Sequence, residues 1–159
     1  MWVGKTATLG AITWIGTLGC AAQTEIGSGN LAVREIAPAV STARARGLPK
    51  VLELKGVQIP DSAVGVRVFL VPHLGEKLDL KSPYYVGSVA KGQTDKAAYG
   101  GSSPQTFVLE IDKVLDELER SGVDVEHSKL KMVLQPIRAN GTPTKDPATL
   151  TGARIEHAK

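Results

Sequence analysis

From residue 50 onward the chain holds a series of short aliphatic runs, and in the clearest of them, 63–71 and 130–134, one side chain in two is apolar. That period constrains the fold more than any other feature. A strand sends successive side chains to opposite faces, whereas a helix repeats near every 3.6 residues. Residues 50–59 (KVLELKGVQI) are β-branched and aliphatic, and Pro60, Asp61 and Ser62 stop them. Residues 63–71 (AVGVRVFLV) place Val64, Val66, Val68 and Leu70 on one face and Arg67, Phe69 and Val71 on the other. Such a strand has both faces partly covered. Residues 84–90 (YYVGSVA), 106–111 (TFVLEI) and 130–137, with Leu130, Met132 and Leu134 alternating, read as further strands, and 149–157 as a closing one. Only residues 112–121 change period: Val114, Leu115 and Leu118 form a helical stripe, with Asp112 as the expected N-cap and Gly122 as the stop. This order of elements predicts a mainly all-β protein, an antiparallel β-sandwich of six to seven strands with one short helix.

Residues 1–48 differ from the rest. They are rich in Gly, Ala, Thr and Ser, have weak periodicity, and read as a linker or poorly ordered N-terminal segment ahead of a domain at 49–159. The excess positive charge lies in residues 1–50. Lys5, Arg34, Arg44, Arg46 and Lys50 face only Glu25 and Glu35, and the remaining charges balance. No basic stripe interleaved with aromatics appears, which argues against nucleic acid as a partner. No apolar run is long enough for a transmembrane helix. Three histidines, His73, His127 and His157, and the single Cys20 are too few for a disulfide framework, a structural zinc site or a multi-histidine metal centre.

The runs VLELKGVQIPDSAVGVRVFL (51–70), YYVGSV (84–89), TFVLEIDKVL (106–115) and KMVLQPI (131–137) follow one another in an order that resembles the C-terminal domain of bacterial tyrosinases. Plant polyphenol oxidases and molluscan hemocyanins carry a related domain. In this family of type 3 copper proteins a separate four-helix domain holds two copper ions, each through three histidines, and oxidises phenols to o-quinones. The present chain lacks that histidine set, so the resemblance implies a part that is not catalytic by itself and binds no cofactor. Its expected partner is a dicopper catalytic domain, in cis or in trans, which carries the copper. The role implied is to cover the copper site, keep the enzyme latent, and assist copper loading. The expected location is the bacterial cytoplasm, or outside the cell with the parent enzyme.

The family inserts a bulky side chain from the loop after the "x-Gly-Ser-Val" strand. Here that loop is 91–105, and its one large ring is Tyr99, set among Gly92, Ala97, Ala98, Gly100 and Gly101. Small neighbours let the backbone enter a narrow cleft, and a phenol resembles the substrate it would displace. A tyrosine folded back onto the sandwich is the plain alternative. In the linker, Arg44 and Arg46 are candidate cleavage points.

Other polar residues have plainer readings. Tyr84 and Tyr85 are adjacent on a strand, and the inward one packs in the core. His73, His127 and His157 read as surface histidines. Asp112, Asp116, Glu117 and Glu119 read as a solvated helix face, not an acid–base pair. Ser102 and Ser103 have no histidine beside them. Asn140-Gly141-Thr142 reads as a turn. Cys20 after Leu18-Gly19 resembles a lipoprotein cleavage site, which supplies a competing reading: an exported β-sandwich lipoprotein with a binding or structural role. The interrupting Thr and Gly residues favour a linker with a free thiol instead.

Overall fold

The computed structural model describes residues 31–36, 48–92 and 103–158. Seven strands and one helix follow in the order β1 (Ala32–Ile36), β2 (Lys50–Val57), β3 (Gly65–Val71), β4 (Tyr85–Ala90), β5 (Gln105–Glu110), α1 (Asp112–Arg120), β6 (Leu130–Ile137) and β7 (Gly152–His157). They form two antiparallel sheets, one ordered β1-β6-β3-β4 and the other β5-β2-β7. The described residues form an all-β sandwich with one short helix.

The core lies between the sheets and follows the period of two. Leu52 and Leu54 of β2, Val66, Val68 and Leu70 of β3, Val89 of β4, and Leu130, Met132 and Leu134 of β6 all point into it. Val64, expected to continue the inner row of β3, lies ahead of the strand and is exposed. A second, smaller cluster forms on the opposite face of the four-stranded sheet. Phe69, Val71 and Val133 are buried there beneath Leu31, Val33, Leu78, Tyr84 and Tyr85. β3 is therefore apolar on both faces, as its sequence requires. Pro136 is tolerated in β6 because the pairing with β1 stops at Leu134, so no ladder with β1 is interrupted.

α1 joins β5, at the edge of one sheet, to β6, in the middle of the other. Its apolar stripe, Val114, Leu115 and Leu118, is buried in the main core. Asp112 is not its N-cap. That position belongs to Ile111, with no side-chain cap, and Asp112 Oδ1 instead accepts the backbone N–H of Lys50 at 3.0 Å. The carboxylate satisfies the first donor of β2, and still lies in the first helical turn, where the macrodipole favours negative charge. At the other end the expected glycine stop is present. Gly122 takes φ +85°, its N–H reaches Glu119 O at 2.9 Å, and Val123 N–H reaches Leu118 O at 3.0 Å. This is a Schellman closure, with Val123 packed on the same core as Leu118.

One strand lies where the sequence suggests a linker. β1 falls inside residues 1–48, and its burial is the reason it forms: Ile36 is only 2 % exposed. Five residues are too few for a period to stand out, and the pairing partner, β6, lies far away in sequence.

Candidate functional site

The connection from β4 to β5 passes from an edge of the four-stranded sheet to an edge of the three-stranded one. The two strands approach each other at that side of the sandwich, and β1 approaches β7 at the other. The described ends of the connection, Lys91–Gly92 and 103–105, lie on that side. Its base is tied at several points. Lys91 N–H donates to Val64 O at 2.9 Å, which extends the β3–β4 side by one bond. Lys91 Nζ lies 2.7 Å from Asp61 Oδ1 in the turn before β3. Gly92 N–H donates to Gln105 Oε1 at 3.3 Å, across the mouth of the loop. A Cβ at Gly92 would meet the Gln105 amide, which lies at the end of a flexible side chain and would have to move aside.

This anchored base is the part of the expected plug loop that the structure describes. Tyr99 and its neighbours Ala97, Ala98, Gly100 and Gly101 lie outside the described residues, as do Arg44, Arg46 and Cys20. Ser103 is exposed at the loop's far end.

The two tyrosines preceding the loop have distinct places. Tyr84 packs against both apolar clusters. Tyr85 leans on Phe69, ring centroids 5.5 Å apart and tilted by 54°, and its hydroxyl is 2.7 Å from Ser88 Oγ. Both are thus packing residues: Tyr84 reaches the main core as well as the smaller cluster, and Tyr85 packs on the smaller one.

The histidines stand on separate elements. His73 is exposed after β3, and His157 ends β7 opposite Lys50. His127 lies in the turn before β6, its Nδ1 2.9 Å from Asp124 Oδ2. The His127 side chain holds the Asp124 carboxyl below its ordinary range; slight burial opposes this, and backbone N–H groups of His127 and Glu126 reinforce it. Among the described residues no three His, Cys, Asp or Glu side chains come together as metal ligands would. The acidic residues of α1 are used singly: Asp112 on β2, Glu117 on Arg120 at 3.1 Å. Asn140 Oδ1 accepts Thr142 N–H at 3.1 Å, the geometry of a side-chain-closed turn.

A charged row that sequence reading does not bring together crosses the outer face of the three-stranded sheet. Arg154 of β7 stands opposite Glu53 of β2, with Nε 2.6 Å from the carboxylate. Lys55 reaches the same oxygen at 3.4 Å, and Arg154 also touches Glu156 at 3.0 Å. Strand alternation puts Glu53 and Lys55 on one face, but only the β2–β7 register supplies Arg154.

No protein-family model matches the sequence, and neither does any curated protein. Solved structures do match the fold. Latent aurone synthase, a polyphenol oxidase, from natural source superposes with a TM-score of 0.54 at 20 % identity, over 85 % of this chain and 26 % of that one. The recombinant latent enzyme gives 0.52 at 18 % identity, over 85 % and 25 %. Latent apple tyrosinase gives 0.50 at 16 % identity, over 82 % and 26 %. The sandwich is a fold found within latent polyphenol oxidases. This chain spans about a quarter of the length of those proteins, and at such identity the likeness is one of fold.

Proposed function

We propose that this chain is the non-catalytic cover of a tyrosinase-type phenol oxidase, equivalent to the C-terminal domain of that family. One observation carries the reading: most of the described sandwich matches latent polyphenol oxidases while accounting for only about a quarter of their chains. A piece of that size leaves the oxidase machinery to the rest of the protein.

The donor set fits this division. Two copper ions bound by six histidines cannot be held by three histidines on three separate elements, so the chain's own residues do not fit the metal. Copper and phenol oxidation are assigned to the partner domain. The contribution of this chain is steric. The anchored mouth at Lys91, Gly92 and Gln105 sets where the β4–β5 loop leaves the sandwich, and Tyr99 is the ring it presents to the partner's phenol pocket. Tethering in one chain gives such a ring a high effective concentration, so weak intrinsic affinity keeps the pocket filled. A role in copper loading belongs to the same reading, since a covered pocket is also a protected one.

The test measures phenol oxidation by a tyrosinase catalytic domain joined to, or co-expressed with, this chain. Oxidation suppressed by the chain and recovered with Tyr99→Ala is the expected result. An oxidation rate that the chain leaves unchanged overturns the cover role. Suppression that survives Tyr99→Ala removes Tyr99 as the plug.

A further inference from the structure

β1 is joined to the remainder of the sandwich only through residues 37–47, so one strand of the four-stranded sheet belongs in sequence to the upstream part of the chain. It pairs with β6 along its whole length, from Ala32 opposite Leu134 to Ile36 opposite Leu130. Its side chains are gripped from both sides of the sheet. Ile36 is buried in the main core and Ala32 packs against it, while Leu31 and Val33 cover Phe69, Val71 and Val133 on the other face. Beside the strand's end, Lys129 Nζ lies 2.8 Å from Glu35 Oε1.

We propose that β1 is a clasp, and that the edge of β6 is a strand-receiving surface whose occupant is residues 31–36 of this chain. Strand addition of this kind draws affinity from the backbone ladder and selectivity from alternate side chains. Here both sets of alternate side chains have apolar seats. Cutting the chain between Ile36 and Leu48 therefore leaves the sandwich attached to whatever precedes residue 31. The consequence for latency rests on the proposed cover function: a cut at Arg44 or Arg46 is insufficient to free the partner's site, and unpairing of β1 from β6 is the releasing step.

The clasp is tested in the full chain, independently of any oxidase. A recognition sequence for a specific protease is inserted after Val40, the protein is cut, and the products are followed by size exclusion and native mass spectrometry at micromolar concentration. The two fragments are expected to travel together and to part only in denaturant. After the same cut, Ile36→Asp is expected to shed the upstream fragment while the larger one keeps a cooperative unfolding transition. Separation of the unaltered fragments overturns the clasp. So does retention of the upstream fragment by Ile36→Asp, because attachment then lies elsewhere. If Ile36→Asp does not fold, Lys129→Glu takes its place. It sets like charges against each other outside the core and is expected to speed fragment dissociation several-fold; an unchanged rate counts against the clasp. Fragments that stay together beside an oxidase the chain does not inhibit keep the clasp and remove the cover role.

Discussion

Glu53 shows how much a single residue's role depends on its neighbours across the sheet. Burial against the sheet raises its carboxyl, but the hydrogen bonds and charges of Arg154 and Lys55 outweigh that and hold it below the ordinary carboxylate range. A carboxyl lowered in the folded state adds stability that is complete above the unfolded value and fades as pH falls through the folded one. Acid titration of unfolding should therefore show a loss of stability below the ordinary glutamate range, and Glu53→Gln should shrink that loss. Equal slopes for parent and variant in urea denaturation across that range would assign the acid sensitivity to other carboxylates. Glu53 itself is visible in the sequence only as a charge amid aliphatics. Its strongest partner is about a hundred residues away, and local pattern carries no information about such pairs.

Among the elements, α1 displays both the strength and the limit of local signals. Its stripe and its glycine stop are properties of a few consecutive residues, and both stand in the structure as the sequence suggests. Asp112 does not act as the cap, because a tertiary donor, the Lys50 N–H, takes its oxygen. Gly122→Ala should cost more than the ~0.4–1 kcal/mol that an alanine in a compatible site would contribute, since φ is +85° there. Chemical denaturation of the variant checks this, and a neutral effect would mean that the helix end rebuilds without the left-handed residue. β1 makes the opposite case. Its five residues, AVREI, contain too few apolar positions to separate a strand from a linker. The strand exists because β6 offers an unpaired edge and the apolar seats on both sides of the sheet are otherwise empty.

For the whole molecule, the two open sides of the sandwich are closed by different means. At one, β4 approaches β5 and the ends of their connection are tied by Gly92–Gln105 and Lys91–Asp61; at the other, β1 approaches β7. Including β1 moves the start of the packed structure from residue 49 to residue 31. A chain beginning at Leu31 and one beginning at Leu48 should therefore differ in unfolding free energy by at least the ~1.5–3 kcal/mol expected for burying one isoleucine side chain. Urea denaturation of the two gives that difference directly. Equal stability would show that the upstream strand adds nothing to the core.

Period and turn residues sufficed, from sequence alone, for the sandwich class, six of the seven described strands and the described helix. These are properties of neighbouring residues, and no partner is needed to read them. The place of β1, the duty of Asp112, the Glu53–Arg154 pair and the clamped mouth of the β4–β5 loop were decided only when the two sheets closed on each other. Each depends on a contact whose members are far apart in the chain, and the free energy that selects it exists only in the packed state.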